Sequence, residues 1–180
     1  GAAAVFVVVY ISFMGYAGDR VTAWLHPELD PGDTGYQILQ SLYAIGSGGL
    51  FGLGYGKSRQ KYLYLPFQYN DYIFAVICEE LGLVGAMAIV ALFAVTILRG
   101  YWIALNARDR FSTVLAAGLV TLIAVQTILN LCVVTNLLPS TGIALPFFSY
   151  GGTALAVNLG EMGIVLGISR GRNRRKIQEA

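Results

Sequence analysis

Residues 72–98, YIFAVICEELGLVGAMAIVALFAVTIL, form an apolar stretch whose only charged residues are Glu79 and Glu80. A helix needs roughly 20 apolar residues to cross about 30 Å of hydrocarbon, so this stretch is long enough to span a bilayer. Two further stretches have the same character: residues 111–134 carry no charge, and residues 151–168 carry a single acid. The sequence therefore predicts three complete membrane-spanning helices.

The composition of the chain agrees with a membrane protein. Of its 180 residues, 56% are hydrophobic and 12% are charged, and the mean hydropathy is +0.64. These values are outside the range of ordinary soluble domains. Residues 2–16 are also apolar, but they are short and lack an initiating Met and a basic region, so we expect the end of a helix rather than a signal peptide. The predicted fold class is all-α, a polytopic transmembrane helix bundle.

Basic residues set the expected orientation. Arginines flank the connection between the first two full spans within residues 99–110, and five basic residues follow the last span within 170–176. Lys and Arg in short loops favour the cytoplasmic side of a membrane. We therefore expect residues 17–71 and 136–150 outside the cell and the C-terminus in the cytoplasm.

Cysteine placement and net charge exclude several classes of function. Cys78 and Cys132 lie inside apolar spans without CxxC spacing, which indicates neither a disulfide framework nor a zinc site. The net charge of +2 is small and arises from the C-terminal tail. Such a tail meets anionic lipid headgroups more readily than nucleic acid, so the lipid bilayer is an expected partner and nucleic acid is not.

The outside segment 17–71 is too long for a plain connector, which indicates a function. Residues 19–33 hold two prolines and four acids and predict an irregular loop. Residues 35–45 place apolar side chains at helical spacing, which predicts a short amphipathic helix at the membrane surface. The six glycines within 46–56 allow the backbone to approach a ligand closely. The apolar stripe of the short helix consists of Tyr36, Leu39, Leu42 and Tyr43.

Basic residues follow the glycines at Lys57, Arg59 and Lys61. The sequence GLGYGKS at 52–58, which contains Lys57, resembles a phosphate loop. However, Phe51 occupies the position where such a loop needs its first glycine, and no hydrophobic strand precedes it. Two interpretations of the three cations stay open. They are solvated or reach lipid headgroups, or they bind a lipid-linked diphosphate, which cationic side chains on one face of an extended segment can do.

Asp71 stands where the polar sequence QYND meets the first apolar span. Asp before an apolar helix commonly caps free N–H groups, which is one interpretation. The other is a general base, because a partly desolvated carboxylate at a membrane boundary can take a proton from a hydroxyl or hold a divalent cation.

Other polar residues lie within the predicted spans. Glu79 and Glu80 fall about 12–14 Å beyond Asp71 along a helix, so we expect structural pairing rather than shared chemistry with it. Gln126 and Asn130 are spaced i, i+4 on one face, which favours hydrogen bonding between helices. Glu161 is expected to act in the same structural way.

Residues 136–153, NLLPSTGIALPFFSYGGT, combine prolines, glycines and hydroxyl residues before the last span. This composition breaks a helix and predicts a re-entrant loop, which needs protein or a cavity around it at membrane depth.

Three blocks of the chain resemble one family, in that family's order. They are GYQILQSLYAIGSGGLFGLGYGKSRQKYLYLP at 35–66, NDYIFAVICEELGLVG at 70–85 and LLPSTGIALPFFSYGGT at 137–153. From about residue 35 to residue 170 the chain is similar to SEDS (shape, elongation, division and sporulation) proteins such as FtsW, RodA and SpoVE. The resemblance implies the C-terminal four helices of a ten-helix membrane fold, with residues 2–16 ending the seventh helix.

The resemblance also implies an activity and partners. It implies a peptidoglycan glycosyltransferase of the plasma membrane that polymerises lipid II during cell division, elongation or sporulation. A class B penicillin-binding protein, which is a transpeptidase, is the implied protein partner. The six preceding helices that help to enclose the substrate in the family are not in this chain, so the isolated fragment is expected to be inactive.

The resemblance assigns roles residue by residue. Asp71 matches the catalytic aspartate, which implies that it activates the acceptor hydroxyl or binds a divalent cation, Mg or Mn. Lys61, before YLYLP, is the basic residue next associated with the site. The His-Thr that the family commonly has before the aspartate is Tyr69-Asn70 here, so no role of that His carries over. Taking this together with the interpretation of the cations as a diphosphate site, the residues predicted to bind substrate are Lys57, Arg59, Lys61 and Ser149.

Two other functions stay open at this stage. In a transporter or lipid II flippase, the acids Glu79, Glu80 and Glu161 would carry protons near the membrane midplane. A non-catalytic scaffold of the division or elongation machinery would need its partner-binding surface but would tolerate loss of Asp71.

Overall fold

The computed structural model describes residues 18, 20–29, 34–58 and 71–178. Its regular elements in these ranges are all helical, which confirms the predicted all-α class. Residues 20–25 are helical and lead into a 3-10 helix, Pro27–Leu29. The long elements are α1 (Thr34–Gly48), α2 (Ile73–Leu105), α3 (Arg110–Val134) and α4 (Gly152–Gln178). The predicted segment 2–16 lies outside the described residues.

Three of these helices are long and apolar enough to cross a membrane: Ile73–Leu105, Arg110–Val134 and Gly152–Gly171. They confirm the three predicted spans. Helix α2 was predicted to end at Leu98, but it continues through Arg99 to Leu105. The guanidinium carbon of Arg99 lies 5.7 Å from the ring centroid of Trp102, an arrangement that suits a cation at a membrane boundary.

The prediction of an irregular loop over residues 19–33 was wrong for residues 20–29. Two long-range hydrogen bonds hold the helical turns of 20–25 in place. Arg20 Nη1 donates to the carbonyl of Ser140 at 2.6 Å, and Trp24 Nε1 donates to the carbonyl of Asn136 at 3.0 Å. Tertiary anchoring therefore overrides the loop-like composition of this segment.

Helix α2 is broken at Gly82, which has φ 67° and ψ −169°. The break leaves carbonyls at the end of the first half without helical partners. The glycine loop, residues 49–58, supplies donors for two of them. Leu53 N donates to Glu79 O at 2.9 Å, and Gly54 N donates to Glu80 O at 3.0 Å.

The second half of α2 receives the complementary bonds from the same loop. Leu83 N donates to Gly49 O at 2.9 Å, and Val84 N donates to Leu50 O at 3.2 Å. The glycine loop thus joins the two halves of α2 through four backbone hydrogen bonds. Such pairing is what a break in a membrane helix requires, because no water is present to satisfy the free groups.

Three glycines permit this close approach of loop and helix. A Cβ on Gly48 would collide with the backbone at Cys78, and one on Gly52 would collide with the Glu80 carbonyl. A Cβ on Gly82 would collide in turn with the loop backbone at Leu50 and at Gly52. The glycine-rich stretch was predicted to approach a ligand, whereas these glycines approach the backbone of α2.

Helix α1 confirms the short helix predicted at 35–45, but its buried face is not the predicted stripe. The small residues Ser41, Ala44 and Gly48 are buried with Ile38, whereas Tyr43 is exposed. Ser41 Oγ lies 3.3 Å from the Val134 carbonyl of α3, to which it donates. Small side chains allow helix backbones to approach closely in a membrane, so this face packs while the larger side chains point away.

The three spanning helices also pack through a second set of small residues, at the ends remote from Asp71. Ala104, Ala116, Val120 and Val165 form one buried cluster. Gly100 meets the side chain of Val120, where an added Cβ would lie 3.0 Å from Cγ1 and still closer to Cγ2. This packing holds α2, α3 and α4 together at the end remote from Asp71.

The glycine contacts predict a contrast between two Gly→Ala substitutions. At Gly52, the collision with Glu80 O and the φ of +76° should lower the free energy of unfolding by roughly 2–5 kcal/mol. At Gly118, a helical glycine with nothing within 4 Å of an added Cβ, alanine should raise it by up to about 1 kcal/mol. Thermal unfolding of the detergent-purified protein compares both variants with the wild type. If Gly52→Ala were as stable as the wild type, the close packing of the glycine loop against the break in α2 would be contradicted.

Candidate functional site

Asp71 lies immediately before α2 and is partly exposed. The N-cap of α2 is Tyr72, and no side-chain capping bond is present there. Within the described ranges, the Asp71 carboxylate accepts no hydrogen bond. The structure therefore does not support the interpretation of Asp71 as an ordinary helix cap.

Two distant segments of the chain meet beside Asp71. Arg20 comes from the segment before α1, and its guanidinium donates to the Ser140 carbonyl in the loop between α3 and α4. The Tyr72 hydroxyl donates to Ser140 Oγ at 3.4 Å. Gly142, with φ 68°, lies beside the carboxylate, since a Cβ added to it would be in van der Waals contact with Asp71 Oδ2, at 3.6 Å.

Asn130 of α3 connects the two sides of this site. Its Nδ2 donates to the Asp71 carbonyl at 2.8 Å and to the Ile143 carbonyl at 2.7 Å. The side chain is fully buried. Asn130 was predicted to form hydrogen bonds between helices, whereas its partners are backbone groups that lie outside the helices, before α2 and after α3.

The surroundings of Asp71 change its affinity for protons. Burial raises the pKa of the Asp71 carboxyl above its ordinary value, and the positive charge of Arg20 opposes that rise. Burial also raises the pKa of Tyr72, while its hydrogen bond to Ser140 lowers it. A carboxylate with a raised pKa is a better proton acceptor than a fully hydrated one, which suits a general base.

The basic residues predicted to bind substrate are only partly within the described ranges. Lys57 is exposed at the end of the glycine loop, and its N–H donates to Gly54 O at 3.1 Å. Arg59 and Lys61 lie outside the described residues. Next to Lys57, the buried Ser58 hydroxyl donates to Glu79 Oε2. The predicted structural pairing of Glu79 is therefore present, and it fixes the loop that carries Lys57 to α2.

The loop between α3 and α4 runs from Asp71 toward the middle of α2. Ser140 contacts Tyr72, whereas the Phe148 ring lies 5.8 Å from the Phe93 ring, well along α2. This course fits the predicted re-entrant loop. Ser149 Oγ accepts a hydrogen bond from Leu145 N at 2.7 Å, so its hydroxyl stabilises a turn of the loop. A role of Ser149 in substrate binding stays a prediction.

Comparison with known proteins identifies the family. The model of the FtsW, RodA and SpoVE cell cycle proteins matches residues 1–174. The chain belongs to this family, the SEDS family. Its resemblance in three sequence blocks is thereby confirmed.

Individual SEDS relatives are similar over most of the chain. Stage V sporulation protein E of Bacillus subtilis is 50% identical over 155 residues, covering 86% of this chain and 42% of that protein. A probable peptidoglycan glycosyltransferase FtsW of Trichlorobacter lovleyi is 45% identical over 166 residues, covering 92% of this chain and 44% of the relative. The chain thus spans less than half the length of these relatives.

Two solved structures resemble the fold. One describes structural coordination of polymerization and crosslinking by a peptidoglycan synthase complex; it matches with a TM-score of 0.72 at 29% identity, covering 93% of this chain and 46% of that one. The other is a mutant of the rod shape determining protein RodA of Thermus thermophilus, with a TM-score of 0.57 at 33% identity, covering 73% and 40%. SEDS membership and the three spanning helices make this a multi-pass membrane protein.

The other predicted membrane polar residues of this SEDS chain are not gathered at Asp71. Glu80 and Glu161 are buried, and one carboxylate oxygen of each has no hydrogen-bond partner in the described part of the chain. Gln126 is partly exposed. The structure brings together Asp71 and Asn130 from the predicted polar set, and it places Glu79 with Ser58 instead.

Sequence reasoning missed several residues of this site. Arg20 lies in a segment that was predicted to be an irregular loop, and Ser140 and Gly142 were noted only as part of a loop composition. A signal for the last two was present, because both belong to the LLPSTG block that resembles the family. The sequence carried no comparable signal for Arg20, whose place depends on a contact between segments far apart in the chain.

The Arg20 charge predicts a pH effect on any reaction in which Asp71 acts as a base. Arg20→Gln removes the charge that holds the pKa of Asp71 down, so this pKa should rise further. Because the base is active when deprotonated, the acid limb of the pH–rate profile should move to higher pH. Arg20→Lys keeps the charge and should move it less. An acid limb that is identical in wild type and Arg20→Gln would contradict the electrostatic link.

Proposed function

We propose that the protein containing this chain is a peptidoglycan glycosyltransferase that polymerises lipid II into glycan strands. The observation that carries this proposal is the Asp71 carboxylate, which is partly buried, does not cap α2 and lies beside Arg20 and Gly142. The relatives named as probable peptidoglycan glycosyltransferases support the reaction class.

The proposed reaction is a glycosyl transfer with Asp71 as general base. The sugar hydroxyl of one lipid-linked unit attacks the anomeric carbon of another, and a new C–O bond forms. The bond from that carbon to the diphosphate breaks, and undecaprenyl diphosphate leaves with its electron pair. Asp71 takes the proton of the attacking hydroxyl. The raised pKa of its carboxyl makes this proton transfer more favourable than it would be for a hydrated Asp.

The glycine loop is proposed to carry the groups that bind the diphosphate. Lys57 is exposed at its end, and Arg59 and Lys61 follow in the sequence. Cations near the diphosphate would stabilise the negative charge that develops as it leaves. The Ser58–Glu79 hydrogen bond and the backbone bonds to α2 support this role, because they hold the start of the basic segment against a rigid helix.

The proposal includes a side of the membrane and a protein partner. We place the Asp71 end of α2 outside the cell and the C-terminus in the cytoplasm, on the basis of the basic residues within 99–110 and 170–176. The proposed partner is a class B penicillin-binding protein. The fold similarity to a peptidoglycan synthase complex that couples polymerization and crosslinking supports such a partner.

As an alternative to its role as the base, Asp71 is proposed to hold a divalent cation, Mg or Mn. Within residues 18, 20–29, 34–58 and 71–178, no group of three His, Cys, Asp or Glu side chains could together hold a metal ion. The described chain therefore offers Asp71 as a single carboxylate ligand. One carboxylate suits Mg, which is commonly held by one or two carboxylates together with substrate phosphates. The cation would supply positive charge at the diphosphate.

The decisive experiment compares two aspartates that precede membrane helices. Asp71→Ala and Asp71→Asn should abolish polymerisation of labelled lipid II by the full-length protein with its partner, because both remove the base. A loss of about 10²-fold or more is expected for a positioned general base. Asp109→Asn is the matched control, since Asp109 caps α3 through Ser112 N and asparagine is an equally good cap.

The outcomes separate the proposed enzyme from the alternatives. Loss of glycan strands in the Asp71 variants, with folding and partner binding intact, supports the glycosyltransferase. Full polymerisation by Asp71→Ala would contradict the proposed role of Asp71 as the general base. Polymerisation absent from the wild type, together with lipid II transport that depends on Glu79, Glu80 or Glu161, would favour a transporter.

Chelation tests the proposed cation separately. Washing the protein with EDTA should abolish polymerisation, and Mg or Mn should restore it, because one carboxylate and the substrate phosphates hold the ion only weakly. Binding of the lipid substrate in EDTA, measured by co-sedimentation in detergent, reports whether the ion acts at the binding step. Unchanged polymerisation in EDTA would remove the cation from the mechanism and leave the base in place.

A further inference from the structure

Asn130 makes an unusual pair of hydrogen bonds for a residue inside a membrane helix. Its Nδ2 donates to Asp71 O and to Ile143 O, at 2.8 and 2.7 Å. These carbonyls belong to two separate stretches of backbone, one immediately before α2 and one in the loop between α3 and α4. A single buried amide thus fixes the distance between them.

The chemistry of the amide group fixes its orientation. Both N–H groups of Nδ2 face carbonyl oxygens, so a flipped amide would place Oδ1 against two other acceptors. Oδ1 itself is buried and has no hydrogen-bond partner in the described part of the chain. An unpaired buried acceptor is unfavourable. The side chain therefore adopts the orientation in which Nδ2 donates to both backbone carbonyls, while Oδ1 has no donor among the described residues.

These bonds determine what faces the Asp71 carboxylate. Gly142 precedes Ile143 and lies beside the carboxylate, because a Cβ added to it would be in van der Waals contact with Asp71 Oδ2, at 3.6 Å. Ser140, two residues earlier, accepts from Arg20 and from Tyr72. Anchoring Ile143 to Asp71 therefore sets the spacing between the carboxylate and the loop that carries the rest of its surroundings.

We propose that Asn130 is a positioning residue for Asp71, holding the carboxylate at a set distance from the loop between α3 and α4. This inference rests on the proposed function of Asp71 as a base. A purely structural polar contact would join two helices, whereas both bonds of Asn130 end on the backbone at the site. Displacement of a reacting group by about 1 Å can reduce a rate by about 10²-fold.

The test compares substitutions at two positions of α3, Asn130 and Thr127, which lie within one helical turn of each other. Asn130→Leu keeps a side chain of similar size and removes both donors. Thr127→Val is the matched control, because Thr127 is also buried but its hydroxyl donates to Ile123 O within its own helix, at 2.8 Å. Both variants lose a buried polar group of α3, and Asn130→Leu alone loses contacts to the site.

Hydrogen–deuterium exchange of the full-length protein gives a readout that does not depend on activity. The reporters are the amides of Leu145 and Ser149, which are hydrogen-bonded within the loop. In Asn130→Leu they should exchange about tenfold faster, as expected for loss of a buried hydrogen bond that anchors the segment. In Thr127→Val they should exchange at the wild-type rate.

Polymerisation kinetics give the second readout, with the rate referred to the amount of folded protein. Asn130→Leu should lower kcat by about 10- to 100-fold with KM for lipid II nearly unchanged. A protein that is destabilised but correctly arranged would keep the wild-type kcat per amount of folded protein.

The outcomes separate this inference from the proposed function. Inactive Asp71→Ala together with wild-type exchange and kinetics in Asn130→Leu would overturn the positioning role alone. Active Asp71→Ala would overturn the proposed role of Asp71 as the base, and with it the kinetic part of this inference. If Asn130→Leu does not fold, Asn130→Ser, which keeps one donor, should give intermediate exchange and kcat; wild-type values in that variant would also overturn the positioning role.

Discussion

The break in α2 at Gly82 depends on the backbone hydrogen bonds that the glycine loop makes across it. Hydrocarbon offers no partner to a free N–H or C=O group, so an interrupted helix is stable only where protein supplies the missing partners. Leu53 and Gly54 meet the carbonyls before the break, and the carbonyls of Gly49 and Leu50 meet the N–H groups after it. Since this loop continues to Lys57 and Ser58, the same bonds position these two residues relative to α2.

The surroundings of Asp71 follow a similar principle at the other end of the first half of α2. Irregular backbone on both sides of the carboxylate is held by side chains from distant elements: Arg20 reaches Ser140, and Asn130 reaches Asp71 and Ile143. The carboxylate itself has no such bond among the described residues. In such a site the surrounding groups are fixed by their own hydrogen bonds, so the carboxylate is held in place and can contact a substrate.

Much of the fold and part of the site could be predicted from local sequence. The three spans follow from hydropathy, and Asp71 follows from its place between QYND and the apolar stretch. The helix at 35–45 was also predictable, but its packing face was not, because the buried side consists of Ser41, Ala44 and Gly48 rather than of the larger apolar residues. A hydrophobic pattern in the sequence predicts that large apolar side chains are buried. Close packing of membrane helices instead requires small side chains at the contact.

The sequence by itself determined the membrane character, the three spanning helices, the family and Asp71 as the candidate base. Each is carried by residues that are contiguous in the chain, so hydropathy and motif order were sufficient. Only the tertiary structure decided that the glycines serve the α2 break, that Asp71 is not a cap, and that Arg20 and Asn130 are its neighbours. These features depend on hydrogen bonds between segments far apart in sequence, and neither local composition nor periodicity specifies which backbone groups such segments bring together.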